Sequence, residues 1–208
     1  MAENYNCNVE GNKCYGEGGK VGVYDETGSW QGTWQGTWQT LSKAEIQANC
    51  DKYGRLYDWA TAMGIDAKYN EEKWNGSDVK HQGICPSGWH IPSNTDWYVL
   101  MNFANPSCYY GGCDGAGNKL KATSGWYNYD GESSGNGTDD YGFSALPGGG
   151  GYSDGSFNKV GYDGFWWSTS ECPGLGAAAT RGMSYQIDGV YDTCSDKGAL
   201  YSVRCLKD

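Results

Sequence analysis

The chain has 208 residues, 15 basic against 25 acidic side chains and a net charge of −10. A chain this acidic, with only Arg55, Arg181 and Arg204 as arginines, lacks the clustered cations that nucleic acid or an anionic membrane surface requires. No apolar run approaches the 18 residues that membrane insertion needs. Glycine is abundant at 34 residues, yet 17 Tyr and 10 Trp are present with only 4 Phe. Disordered chains lack such aromatics. The combination describes a loop-rich folded domain in which large rings replace aliphatic bulk. No signal peptide is legible after Met1, and the chain is read as a mature or recombinant piece.

Residues 16–41 form a turn-rich segment holding a period-four repeat, with Trp30, Trp34 and Trp38 on one face of an expected hairpin insertion. That ridge either packs on the domain or stacks on a ligand. Ser42 and Glu45 form a capping box, with Leu41 and Ile46 as a hydrophobic staple, and predict a helix to about Asp51. A second helix is expected over Tyr57–Met63, stopped by Gly64. A third follows Ser93, with Asp96 at N3 and Trp97, Leu100, Met101 and Ala104 at helical spacing. Beyond residue 105 no helix pattern recurs. Short apolar runs at Gly142–Leu146, Phe165–Ser168 and Tyr201–Leu206 read as strands. The expected class is α+β: one domain over 1–208, with two main helices and a twisted antiparallel sheet of short strands.

Nine cysteines stand at positions 7, 14, 50, 85, 108, 113, 172, 194 and 205, with no CxxC pair. Zinc is disfavoured and disulfides in an oxidising compartment are expected. Cys14 with Cys50, Cys85 with Cys205, Cys108 with Cys113 and Cys172 with Cys194 are candidate pairs that leave Cys7 over, although sequence alone leaves connectivity open.

Catalytic signals are weak. GxSxG occurs at 131–135 and 151–155, without the helix that a nucleophile elbow requires. Of two histidines, His81 is expected in solvated loop and His90 in a structural hydrogen bond. Asn136, Thr138, Asp139 and Asp140 form an oxygen-rich cluster. Its spacing is not that of an EF-hand, which makes Asx turns the first reading and calcium the second.

The motifs YGRLYDWATAM (53–63), CPSGWHIPSNTDW (85–97), KLKATSGW (119–126), NGTDDYGFSALPGG (136–149), GFWWSTSE (164–171) and SVRCLKD (202–208) occur in that order. Together they resemble the Fibrobacter succinogenes major paralogous domain family across essentially the whole chain. That family is similar to C-type-lectin-like and formylglycine-generating-enzyme folds, and its members are secreted or lipid-anchored bacterial surface proteins. The resemblance implies a lectin-like domain and supports Cys85–Cys205 as the lock on a late strand. The chain departs from the pattern in beginning at Met1, where family members usually carry an upstream strand, in the expanded Trp repeat, and in the stretch 172–200, which has little family character. Some members resemble variable proteins of diversity-generating retroelements, whose diversified segment would lie at 171–201.

The expected function is non-enzymatic: an extracellular or cell-surface adhesion domain that binds a glycan or a surface protein. Its expected contacts are Tyr185, Gln186, Asp188, Tyr191, Asp192 and Asp196, in and after a loop clamped by Cys172–Cys194, together with the Trp ridge. Asp188 and Asp192 have no basic neighbours nearby in sequence, which favours ligand contact over internal pairing. The alternatives are an oxidase-like enzyme using a reactive cysteine pair, and a structural subunit of a surface layer or fibre. Cofactors are expected to be absent, calcium excepted.

Overall fold

The computed structural model describes residues 3–24, 37–76, 80–108, 112–128, 135–174 and 176–208. Trp30 and Trp34, the tip of the Cys108–Cys113 loop and most of the first GxSxG site lie outside them. The described residues carry β1 (Lys20–Gly22), β2 (Trp38–Gln39), α1 (Lys43–Tyr53), α2 (Trp59–Met63), a 3-10 turn (Ala67–Asn70), β3 (Trp89–His90) and α3 (Asn94–Ala104). They continue with β4 (Gly112–Cys113), α4 (Ala116–Leu120), β5 (Gly148–Gly151), β6 (Ser156–Val160), β7 (Asp163–Glu171), β8 (Ala177–Ser184), β9 (Val190–Asp196) and β10 (Leu206–Lys207). The class is mixed α+β with a mainly sheet core.

Local chemistry starts the helices. The Ser42 hydroxyl accepts the Glu45 amide while Glu45 accepts the Ser42 amide at 2.7 Å. Ser93 and Asp96 close the same reciprocal box on α3. α2 begins two residues later than its pattern suggests. Asp58 is its N-cap, accepting the Thr61 amide at 2.9 Å, and Leu56 and Tyr57 are held in bridges to Lys13 and Tyr201. α4 has no counterpart in the sequence reading. It is five residues long and begins at Gly115 without a side-chain cap, so it carries neither capping nor periodicity signal.

The sheet runs β2-β1-β6-β5-β7-β8-β9-β4, and β3 pairs with β10 separately. It is mixed rather than antiparallel throughout, because β1 runs parallel to β6 and β5 parallel to β7. The β1–β2 pair thus joins the main sheet at its edge. Gly142–Leu146 forms no strand; Ala145 makes one bridge to Lys121. Of Tyr201–Leu206, Tyr201 and Ser202 make isolated bridges to Tyr57 and Trp166.

β5 is four consecutive glycines, all buried. A Cβ at Gly150 would lie 2.6 Å from the Tyr201 ring, and one at Gly149 would lie 2.5 Å from the Asn158 carbonyl oxygen. The run is the seat of packed rings and a neighbouring strand.

β7 alternates its rings across the sheet, as period two demands. Phe165 and Trp167 join Tyr57, Trp59, Met63, Ile91, Tyr201 and Val203 on one side. Trp166 joins Trp97, Met101, Leu120, Trp126 and Met183 on the other. Each large indole has an acceptor: Trp59 on Ser168 O, Trp126 on Ala145 O, Trp167 on Tyr57 O and Trp166 on Asn4 Oδ1. A buried ion pair ties the first side together. Lys197, 1% exposed, holds Glu171 Oε1 at 2.5 Å and Glu72 O at 3.0 Å, its ammonium 4.4 Å over the Trp59 ring. Burial pushes the Glu171 carboxyl up, but the Lys197 bond and the amides of Trp74 and Asn75 outweigh it and hold the pKa low.

Four disulfides staple the frame: Cys14–Cys50, Cys85–Cys205, Cys108–Cys113 and Cys172–Cys194. Cys7 is exposed and outside them. Such bridges belong to chains matured in an oxidising compartment. No helix among the described residues is long and apolar enough to cross a membrane.

Candidate functional site

The stretch 172–201 is not a loop. β8 lies between β7 and β9 in the sheet, and its interior is buried throughout. The Cys172–Cys194 bridge ties the end of β7 to β9, at the residue that faces Ala179. Small residues, Ala177–Ala179 and Gly182, let neighbours close over this strand. A Cβ on Gly182 would meet the Tyr191 ring at 2.2 Å, so the phenol lies across β8. Between β8 and β9 a turn projects from the sheet.

That geometry sorts the expected contact residues. Tyr191 is half-buried and edge-on to Phe165. Burial raises its phenol pKa, and the Asp163 carboxylate adds to the rise. Asp192 is not without a cation: strand register places it opposite Arg181, whose Nη1 donates to Oδ1 at 2.7 Å. Asp196 accepts the Gly198 amide and closes a turn. Tyr191, Asp192 and Asp196 therefore serve the fold. Tyr185, Gln186 and Asp188 stand at the turn, Tyr185 half-buried and the other two exposed.

Asp188 also lies in the field of a cation. Lys121, 1% exposed, reaches under the turn and donates to Ser184 O and Ile187 O, each at 3.1 Å. Desolvation lowers its pKa and Asp188 pushes it back up. A second tie comes from the Asn118 amide, which donates to Asp188 O at 2.9 Å. The turn backbone is thus held from behind while Gln186, Ile187 and Asp188 face solvent.

Beside the turn, four half-buried tyrosines meet from four separate segments. Tyr162 stacks against Tyr24 at 4.9 Å and against Tyr127 at 4.7 Å, each pair tilted by 32°. Tyr185 sits edge-on to Tyr127 and Tyr162, 5.4 Å from each. Backbone bonds set the group: the Tyr127 amide donates to Gly161 O and the Tyr185 amide to Tyr162 O. Asp163 follows directly, its buried carboxylate 2.5 Å from the half-exposed Lys159 ammonium. Sequence reasoning found Tyr185 but not Tyr24, Tyr127 and Tyr162, because no local spacing connects them.

The other expected residues lie elsewhere. Trp38 sits on β2 with the Lys20 ammonium 4.4 Å over its ring. Asn136 Oδ1 accepts the Trp126 amide, and Asp139 accepts both the amide and the hydroxyl of Ser144. These are turn-forming bonds, and Asp140 points to solvent at an exposed position. No group of three His, Cys, Asp or Glu suited to a metal occurs among the described residues. His90 bonds Asp208 through Nδ1 at 2.6 Å. His81 is not merely solvated: Nε2 lies 2.7 Å from Met63 O and the ring packs on Trp74. The second GxSxG is the β5–β6 turn, with a strand and not a helix after it.

Clefts lie beside the helices among the described residues. One, about 140 Å³, lies between α3 and the C-terminal strand, lined by Trp97, Leu100, Phe143 and Leu206. Another, about 390 Å³, has a mixed lining that includes Asn4, Asn6, Asp51, Lys52, Tyr53 and Leu146.

Searches of curated proteins and of solved structures return no match. The family model of the Fibrobacter succinogenes major domain matches residues 1–207, and the chain belongs to that family.

Proposed function

We propose that the chain is a non-enzymatic, extracellular ligand-binding domain of a bacterial surface protein, with a C-type-lectin-like scaffold that presents the β8–β9 turn. The observation that carries this reading is the turn itself. Its backbone is anchored by the buried Lys121 ammonium, while Gln186, Ile187 and Asp188 stay exposed. A turn held in this way has little backbone entropy left to lose on binding. The lectin-like scaffold is supported by the meeting of the two ends of the chain. The Tyr5 amide donates to Val203 O, Asn4 bonds Ser202 and Arg204, and Cys85–Cys205 clamps the late segment.

Eight of nine cysteines are in bridges, which favours binding over an oxidase that needs a thiol pair. If segment 171–201 is diversified among siblings, the fold accommodates change at Gln186, Ile187 and Asp188 and resists it along β8.

The test is retention of the immobilised, oxidised chain against glycan and cell-surface protein panels, compared with a Gln186→Ala/Asp188→Ala double variant of native melting behaviour. Retention that drops in the double variant supports the reading. Retention unchanged in that variant moves the site away from the turn.

A further inference from the structure

We propose that His90 is an acid-closed latch: its protonated ring ties Asp96 of α3 to Asp208, just past β10, and so holds the C-terminal strand on the domain. His90 stands on β3, paired in register with Leu206 of β10, and is 3% exposed. A carboxylate faces each ring nitrogen. Nδ1 lies 2.6 Å from Asp208 Oδ1, and Nε2 lies 3.7 Å from Asp96 Oδ2. Nε2 is buried and has no hydrogen-bond partner among the described residues.

A neutral imidazole does not match this site. It carries one N–H and one lone pair, whereas carboxylate oxygens only accept. With its N–H given to Asp208, the ring turns the lone pair of Nε2 toward the Asp96 side and leaves it unsatisfied, which buried polar atoms seldom are. The imidazolium has two donors, so one added proton makes the orphaned nitrogen a donor to Asp96. The closure needed is small, from 3.7 Å to the about 2.8 Å of a charge-assisted bond. Asp96 is fixed for this role: Oδ2 accepts the Ser93 amide at 2.9 Å and the Ser93 hydroxyl at 2.7 Å, which start α3. The two carboxylates favour the charged ring and burial opposes it.

Other charged groups stand close by. Lys80 lies 3.9 Å from Asp208 Oδ1, but both side chains are well exposed, so water screens the pair. Lys207 is exposed and stands opposite Trp89 in register. Arg204 lines one cleft with Asp96 and is bonded to Asn4, Phe143 O and Ser144 O. His81 is bridged to Ile91, with its ring on Met63 O and Trp74. β7 meets this corner through the uncharged Thr169, whose amide donates to Pro92 O. Histidine changes charge between pH 5 and 8. The latched form holds the proton more tightly than the open form, so the tie is complete in mild acid and is lost as pH rises. Cys85–Cys205 keeps the segment tethered, which confines the release to the residues after Cys205. Leu206 lines the cleft beside α3, so the same proton sets one wall of that cleft.

Hydrogen exchange of the oxidised full chain between pH 5.5 and pH 8, expressed as protection factors, tests this. Protection at residues 206–208 should fall about tenfold as pH rises, while protection along β7 stays constant. The His90 ring nitrogens, read by NMR, should report the imidazolium at pH 5.5 and its loss over the same pH range. In His90→Gln, protection at residues 206–208 should be independent of pH within about twofold. Asp208 is half-exposed, so Asp208→Asn keeps the fold even where His90→Gln does not. In that variant the pH range of the fall should move down by about one unit, because one of the two carboxylates is gone. Equal protection at both pH values in the wild-type chain overturns the latch. So does a fall that persists in His90→Gln, a range that stays in place in Asp208→Asn, or a neutral His90 ring at pH 5.5 in the folded chain.

Discussion

Trp166 and Trp167 are sealed: both are 0% exposed, and each indole N–H donates to an oxygen inside the molecule. Around Tyr162 the rings are just as close to one another, yet all four remain half-buried. Equal proximity thus accompanies two different uses of aromatic area. In the core the rings supply the burial that a glycine-rich chain with few aliphatics lacks, at about 25 cal/mol per Å² removed from water. Where β7 begins and β8 ends they remain partly in water, and their worth to folding is correspondingly smaller.

The sharpest way to break this comparison is to release the frame that both regions share. Replacing Cys85 and Cys205 together with Ala opens a closure spanning 120 residues of sequence. In the chain-entropy model the loss is about 4–5 kcal/mol, which a denaturant titration would read as loss of both regions at once. Trp167→Ala should follow at about 3–5 kcal/mol. It empties a site that is 0% exposed and removes one of the two donors on the Tyr57 carbonyl, which keeps the Tyr201 amide. An unchanged denaturation midpoint would show that β7 is not the centre of the core.

Alkaline titration separates the regions without mutation. Burial raises the Tyr201 phenol to about 12 from an ordinary value of 10. The unfolded phenol ionises first, so stability is full below pH 10 and declines as pH rises from 10 to about 12. The decline amounts to about 2–3 kcal/mol from this group alone. Tyrosinate absorbance from the core should therefore appear together with unfolding. Absorbance from Tyr201 well below that range would mean that water reaches the ring.

Lys121→Met tests the turn that borders the tyrosines. Ser184 O and Ile187 O each lose the Lys121 donor, although Ser184 O keeps the Ile187 amide, at about 1–3 kcal/mol. Hydrogen exchange should rise at residues 184–189 and not along β7. The smallest effect is expected for Tyr127→Ala, about 1–2 kcal/mol, since its ring is already half in water. A loss as large as that of Trp167→Ala would make the tyrosines a second core and remove the contrast.

Much of the helical half was legible because its signals are local. Ser42 with Glu45, and Ser93 with Asp96, satisfy amide groups within one turn, so the chain need not be folded for the pattern to be read. β8 was not legible. Ala-Ala-Ala-Thr-Arg-Gly-Met-Ser alternates no apolar and polar residues, because neighbours cover it on both faces. The same stretch therefore read as a loop, and its acids as unpaired. Asp192 has its partner eleven residues back, across a strand register that no spacing rule announces.

By itself the sequence determined the family, the α+β class and the capped starts of α1 and α3, because each depends on residue order or on contacts within a few residues. Tertiary structure decided the parallel pairings of β1 with β6 and of β5 with β7, the burial of Lys121 and Lys197, and the meeting of Tyr24, Tyr127, Tyr162 and Tyr185. Those contacts join residues far apart in the chain, and they form only once the sheet has set which strand lies beside which.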